Sequence, residues 1–264
     1  MGTTTLAGQG LRARWDADEA AFGLWAGIPT SLVAEMGAAA GYDYVCVDLQ
    51  HGMSDEATMI SMFQATQAAG SVPLARLAWN EPYLIMRALD VGAIGVIVPL
   101  IDNAAEAARA VEACRYPPVG RRSYAGSVRA QLVLGSSSPE ALAGGVLCLA
   151  MIETREGLEN VEEIAATPGL DGLYIGPSDL SLALGLHAGG LAVDAREDRP
   201  ALAEAIERIR QACTANGLIA GIQCSSGAAA SLYASYGFRL VTVGGDVGLF
   251  AAAISRELRA ARGA

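Results

Sequence analysis

Eight short apolar runs recur along the chain: 22–27 (FGLWAG), 44–49 (YVCVDL), 72–77 (VPLARL), 94–99 (IGVIVP), 146–152 (VLCLAMI), 171–176 (DGLYIG), 218–223 (LIAGIQ) and 240–244 (LVTVG). Their hydrophobicity is continuous rather than alternating. That predicts strands buried on both faces, and so a parallel sheet covered by helices. The stretches between them are longer and amphipathic. Residues 103–114 (NAAEAARAVEAC) open on Asn103 with Glu106 three positions later, a capping-box-like start. Residues 196–216 form one long periodic segment that ends before Gly217, a good helix stop. Eight strand-then-helix units in 264 residues predict a single-domain (β/α)8 TIM barrel, not an open doubly wound sheet. The barrel is expected over 22–264, after an N-terminal arm or leader helix over 1–21. Two stretches break the rhythm. One is the Gly/Ser/Pro-bearing insertion 115–145, the other the acid-rich segment 185–200. Long loops in a compact domain are usually functional, or else linkers.

In such a barrel, the groups that do chemistry collect at the C-terminal ends of the strands. Trp25 stands near the end of the first run, and the second continues into Asp48-Leu49-Gln50-His51-Gly52. Arg76 lies near the end of the third, Glu153 after the fifth, and Gly176-Pro177-Ser178-Asp179 closes the sixth. Charged groups at the end of one apolar run after another are costly to bury unless they pair or bind a metal. His51 follows a buried strand three residues after Asp48, where a carboxylate can orient or charge it. Imidazole is the side chain best suited to proton transfer near neutral pH. The other histidine, His187, sits in the loose LGLHAGG segment and reads as loop. Glu153 and Asp179, on neighbouring strands, offer two oxygen ligands to an octahedral Mg²⁺ or Mn²⁺. The alternatives are a solvated loop acid for Glu153 and a helix N-cap for Asp179. No Cys/His cluster supports a structural zinc. Arg76 is either a salt-bridge partner of one of those acids or an electrophile whose fork holds an oxyanion or carboxylate. Asp90, in the helix ending LDVGAIG, opposes the helix dipole by ~0.3–1 kcal/mol. Such a placement points to a specific partner, or else to a plain surface acid.

Composition narrows the chemistry. The chain has no lysine: all 18 basic residues are arginine. Schiff-base aldolases, pyridoxal-phosphate enzymes and P-loop NTPases each need an ε-amino group and are excluded. Arginine, effectively always protonated, is no substitute. A net charge of −10 argues against nucleic acid, and Arg121–Arg122 is the only adjacent basic pair. The five cysteines form no CxxC pair, and three lie inside or directly beside apolar runs, as reduced thiols of a cytoplasmic protein do. The N-terminus has no apolar signal region, and MGTTTL carries Leu6 where a myristoylation signal needs Ser or Thr. No run approaches the ~20 apolar residues that span a bilayer. A soluble cytoplasmic protein without a membrane partner is expected.

Carboxylates placed for a metal, one histidine, one arginine and no lysine in a barrel describe a metal-dependent aldolase. The residues carrying this resemble the HpcH/HpaI aldolase family, the class II pyruvate aldolases that cleave 4-hydroxy-2-keto acids. The matching stretches are GLWAGIP (23–29), GYDYVCVDLQHG (41–52), PLARLAWNEPYLIMRALDVGAIGVIVP (73–99), RYPPVGRRSYAG (115–126), AMIETREGLENVEEIAATPGLDGLYIGPSDLSLALG (150–185) and YGFRLVTVGGDVGLF (236–250). Together they cover roughly 22–255, and the DLQHG and IET…GPSDLS blocks in combination are specific.

The resemblance implies that His51 is the catalytic base and Asp90 the acid that raises its basicity. It implies that Asp48 orders a water beside the metal and that Arg76 stabilises the enolate oxygen. Glu153 and Asp179 match the ligands of a divalent cation (Mg²⁺, Mn²⁺ or Co²⁺). The backbone at Ser178–Asp179, beside Gly176, matches the pocket for the pyruvate carboxylate, and Trp25 an apolar wall. The implied reaction is retro-aldol cleavage of a 2-keto acid to pyruvate and an aldehyde. The implied assembly is a homohexamer, a trimer of dimers with the C-terminal helix exchanged and neighbours reaching into each other's sites, which gives 115–145 a role. Met151 stands where many members carry a Gln that touches substrate, and Gln50 where Glu is frequent. Both departures bear on substrate identity more than on reaction type. A citryl-lyase-like or citrate-synthase-like activity on the same scaffold shares the Glu153/Asp179 logic and draws on further arginines, for which Arg121 and Arg122 are candidates. A non-catalytic barrel is the remaining class.

Overall fold

Each apolar run becomes a strand shielded on both faces, and the strands close on themselves. In the computed structural model, which describes residues 7–263, they are β1 (Ala21–Ala26), β2 (Tyr44–Asp48), β3 (Val72–Arg76), β4 (Gly95–Val98), β5 (Leu147–Ile152), β6 (Gly172–Ile175), β7 (Ile219–Cys224) and β8 (Leu240–Gly245). All neighbours pair in parallel, and β1 pairs β8 to complete the expected TIM barrel. Strands β2 to β6 are buried at every residue, which is why their sequences do not alternate.

Helix α1 (Ala7–Asp16) precedes the barrel; residues 1–6 of the expected arm lie outside the described residues. The first four strands are followed in turn by α2 (Ser31–Ala39), α3 (Glu56–Ala68), α4 (Pro82–Asp90) and α5 (Ala104–Cys114). The 115–145 segment contains α6 (Arg129–Leu134) and α7 (Pro139–Gly144). After β5 come α8 (Arg155–Glu159) and α9 (Val161–Ala165). After β6 come α10 (Pro177–Ala183), α11 (Ala195–Asp198) and α12 (Pro200–Ala215). Helix α13 (Gly227–Ser235) follows β7, and α14 (Asp246–Arg262) follows β8.

Asn103 caps α5 by accepting the Glu106 N–H at 3.0 Å, while Glu106 reaches back to the Asp102 N–H rather than to its own cap. The segment 196–216 is not one helix. Pro200 lacks an N–H and restricts the residue before it, so Arg199 leaves helical geometry (φ −140°, ψ 70°) and α11 stops at Asp198.

Inside the barrel, Tyr44 and Tyr174 both meet the Thr242 hydroxyl, at 3.0 and 2.6 Å. Gly23 makes room for this: a Cβ there would sit 2.0 Å from the Tyr44 ring. At the N-terminal rim, Asp171 accepts from Arg12 at 2.7 Å and from Arg115 at 2.8 Å, tying α1 across the barrel floor. Because 115–145 joins a helix to the next strand, it also lies at that rim. Helix α14 does not complete the outer layer. Asp246 is its only buried residue, and Val247, Phe250, Ile254 and Leu258 form an exposed apolar stripe along it. Leu32 and Met36 of α2 are exposed as well. All five cysteines are free and buried, and among the described residues no helix is long and apolar enough to cross a membrane.

Candidate active site

The C-terminal rim surrounds a cavity of about 490 Å³ lined by Trp25, Asp48, His51, Arg76, Gly176, Ser178 and Asp179 from the expected set. Register explains half of this. Asp48 and Arg76 are paired positions at the ends of β2 and β3, so their side chains leave the barrel side by side. Arg76 forks onto Asp48, Nε to Oδ1 at 2.7 Å and Nη2 to Oδ2 at 2.6 Å, with both side chains buried. Asp48 also accepts from the backbone N–H of Gln50 (3.0 Å) and His51 (3.2 Å), and from Trp25 Nε1 (3.1 Å). Burial pushes the Asp48 carboxyl up, but the Arg76 hydrogen bonds and charge, with these N–H donors, hold it below its ordinary value. Arg76 therefore pairs with Asp48, not with Glu153 or Asp179. The guanidinium also lies 5.1 Å from the centre of the Trp25 ring, which stacks on Tyr174.

The other half of the rim is built differently. Glu153 follows β5 and is 2 % exposed, which removes the solvated-acid reading. Its Oε1 accepts the Leu100 N–H at 3.0 Å, and its Oε2 is buried with no partner. Leu100 holds a left-handed backbone (φ 53°), a strained setting that aims its N–H at Glu153. Burial drives the Glu153 carboxyl up to about 7, against the Leu100 hydrogen bond and helped by the nearby Asp179 charge. Gly176 leaves this oxygen its space: a Cβ there would stand 2.5 Å from Oε2. Asp179 does not cap α10. Gly176 is the cap, and Asp179 lies exposed in the first turn, where the helix dipole favours an acid. A buried, unpartnered carboxylate oxygen beside a second carboxylate fits a divalent cation. Among the described residues, no group of three or more His, Cys, Asp or Glu is placed to hold a metal. Glu153 and Asp179 would thus supply two ligands and leave the others to substrate and water.

His51 is exposed at the cavity mouth. Asp48 orients it through its backbone N–H rather than through the imidazole. Asp90 is not brought to the cavity. It ends α4 just before β4 begins, at the N-terminal rim, so within one chain it cannot assist His51. The partner that its awkward place in the helix called for is Arg122, whose Nη2 donates to Asp90 at 2.8 Å. Arg121 pairs with Glu112 at that same end. Neither arginine joins the cavity of its own chain, so the support they lent to a citrate-type reading is absent there.

Three contributors were not singled out in the sequence. Asp246, buried at the start of α14, accepts from the Gly27 and Ile28 N–H groups, both at 2.9 Å, and lines the cavity. It lies two residues beyond the eighth apolar run, and the strand-end rule applied that far finds it. Gln223, the last residue of the seventh run, also lines the cavity but carries no charge to draw notice. Leu100 had no signal, because leucine does not mark a left-handed backbone. A wider groove of about 740 Å³ between α12 and α13 holds arginines already paired with neighbouring acids, such as Arg210 with Glu207, and none of the expected residues.

The profile of the HpcH/HpaI aldolase/citrate lyase family matches residues 21–253. A hydroxypyruvate/pyruvate aldolase of Rhizorhabdus wittichii is 38% identical over 252 residues, covering 96% of this chain and 98% of that protein. A 5-keto-4-deoxy-D-glucarate aldolase of an Enterobacter species is 34% identical over 249 residues, covering 93% and 94%. Among solved structures, an HpcH/HpaI aldolase/citrate lyase family protein from Burkholderia cenocepacia superposes with a TM-score of 0.87 at 35% identity, covering 98% of this chain and all of that one.

Proposed function

The chain belongs to the HpcH/HpaI aldolase/citrate lyase family, and from that premise we propose that it catalyses metal-dependent cleavage of a 4-hydroxy-2-keto acid to pyruvate and an aldehyde, and the reverse addition. The observation that carries this reading is the buried, unpartnered Oε2 of Glu153 beside Asp179. A divalent cation held there, Mg²⁺, Mn²⁺ or Co²⁺, supplies Lewis-acid polarisation of the keto acid, which in a lysine enzyme an iminium would provide. The rest falls to the chain's own residues. The first turn of α10, at Ser178–Asp179 beside Gly176, receives the substrate carboxylate. His51 removes the proton from the C4 hydroxyl. The C3–C4 bond then breaks: its electron pair passes to the pyruvate half as an enolate and C4 leaves as the aldehyde. Arg76 holds the enolate oxygen with the donors that Asp48 leaves free, and Asp48 fixes its orientation. Protonation at C3 completes pyruvate. Trp25 and Met151 keep that side of the cavity apolar.

The exposed stripe on α14, with Leu32 and Met36 on α2, supports exchange of the C-terminal helix between copies and a homo-oligomer up to the hexamer. An Asp90 that assists His51 would then come from a neighbouring copy. Buried, reduced thiols suit a cytoplasmic setting. The decisive experiment is pyruvate release from a panel of 4-hydroxy-2-keto acids, after exhaustive chelation and then with each cation restored. Release is expected only with cation present. Full activity after complete metal removal sinks the proposal.

A further inference from the structure

The charge of the aldehyde half is decided at the mouth of the cavity. Among the described residues lining it, Arg76 is the only guanidinium, and its Nε and Nη2 are already committed to Asp48. His51 is the only other basic group there. Against them stand Asp48, already paired with Arg76; Asp179, which a bound cation would neutralise; and Asp246, which neither answers. Asp246 is 7 % exposed and has no arginine partner. Its oxygens are met by backbone N–H groups alone, those of Gly27, Ile28 and Val247. Met53 and Val247, both well exposed, bring apolar surface to the same mouth, and Gln223 brings a neutral amide. The chain as a whole carries a net charge of −10, so long-range attraction does not favour an anion either.

A carboxylate on the leaving aldehyde would lose its hydration in this mouth. It would find no free guanidinium fork in its own chain and would face a buried acid that no arginine pairs, and the Arg122 that would accompany a neighbour's Asp90 is itself fully buried against that acid. Resting on the aldolase reading above, we infer that the enzyme releases and accepts uncharged aldehydes and discriminates against aldehydes that carry a carboxylate. The Gln223 amide can both donate to and accept from a hydroxyl on such an aldehyde.

The test is aldol addition to pyruvate by the full chain with its cation supplied, comparing butanal with succinic semialdehyde. Both have four carbons, and in the second the charge is remote from the reacting carbonyl. The expected kcat/KM is higher for butanal by about tenfold or more, the size of one unfavourable charge contact. An equal or higher value for succinic semialdehyde overturns the inference. Exchange of the pyruvate methyl protons in D₂O, followed by NMR, separates the two readings. Exchange together with preference for succinic semialdehyde defeats the charge inference alone. No exchange and no addition to either aldehyde defeats the aldolase reading on which it rests. A Met53→Arg variant is expected to shift the ratio towards succinic semialdehyde by about tenfold. An unchanged ratio in a folded variant, verified by circular dichroism, also overturns the inference.

Discussion

The β2–β3 side and the β5–β6 side of the rim each bury a carboxylate, and they treat it in opposite ways. Asp48 receives five hydrogen bonds, two from Arg76 and one each from Trp25, Gln50 and His51. Glu153 receives one, from Leu100, and keeps one buried oxygen without a partner. The first carboxyl is held below its ordinary value, and the second is raised to about 7. Burial is common to both, so the supply of donors and the sign of the neighbouring charge make the difference. Asp48 is a finished contact that positions Arg76. Glu153 is an unfinished one, ready for a cation or a proton. Two acids pushed apart in this way mark a division of labour within one site.

Substitutions on each side test this contrast. Glu153→Gln keeps the shape and removes the charge, so cleavage is expected to fall about 10³-fold, the loss seen when a preorganised electrostatic contributor is removed. Calorimetric titration with Mn²⁺ should lose its binding heat in parallel; activity within tenfold of wild type would erase the contrast. Arg76→Met leaves Asp48 buried without its cation, at an expected cost of about 3–5 kcal/mol in urea unfolding. Glu153→Gln in metal-free protein at pH 8 should instead be neutral or stabilising, because it relieves an unpaired buried charge. If both substitutions destabilise alike, the two acids are not distinct in kind.

The pH dependence separates them again. With cations chelated, folded Glu153 keeps its proton up to about pH 7, whereas in the unfolded chain it has lost it by about pH 5. Stability from this group is therefore full below that range and lost as pH rises through 7, by on the order of 3 kcal/mol. Asp48 has the opposite sign: its contribution is present above its unfolded value and disappears as pH falls into the acid range. Thermal melts from about pH 2 to 8, with and without Mg²⁺, read both slopes. A flat metal-free profile between about pH 5 and 7 removes the Glu153 assignment. The smallest effect belongs to Gly176→Ala. Its Cβ would crowd Glu153 Oε2 and is expected to cost about 1–3 kcal/mol as overpacking, with weakened cation binding. Unaltered binding would show that the oxygen does not need that space.

Much of this site is legible in the sequence. Strand-end position marked Trp25, Asp48, His51, Arg76, Glu153, Gly176, Ser178 and Asp179; all but Glu153 line one cavity, and Glu153 lies buried behind Gly176. Asp90 shows why such reading stops short. Its place in the helix signalled a partner, but an acid at a helix end does not say which strand or loop will answer it. The answer came from Arg122, 32 residues away and at the opposite rim from His51. The helix break at Pro200 was legible and outweighed by periodicity. The strained Leu100 was not legible, since its conformation is imposed by what it holds.

The eight buried strands, the closed barrel they form and the exclusion of amine chemistry follow from hydrophobic runs, their spacing and residue types, which are properties read along the chain. Tertiary structure alone decided the partners: Arg76 with Asp48 across 28 residues, Leu100 with Glu153 across 53, and Asp90 with Arg122. Such pairings depend on strand register and on loop paths between distant elements. Register sets side by side what the chain keeps apart, and from those neighbours each buried acid takes its charge state.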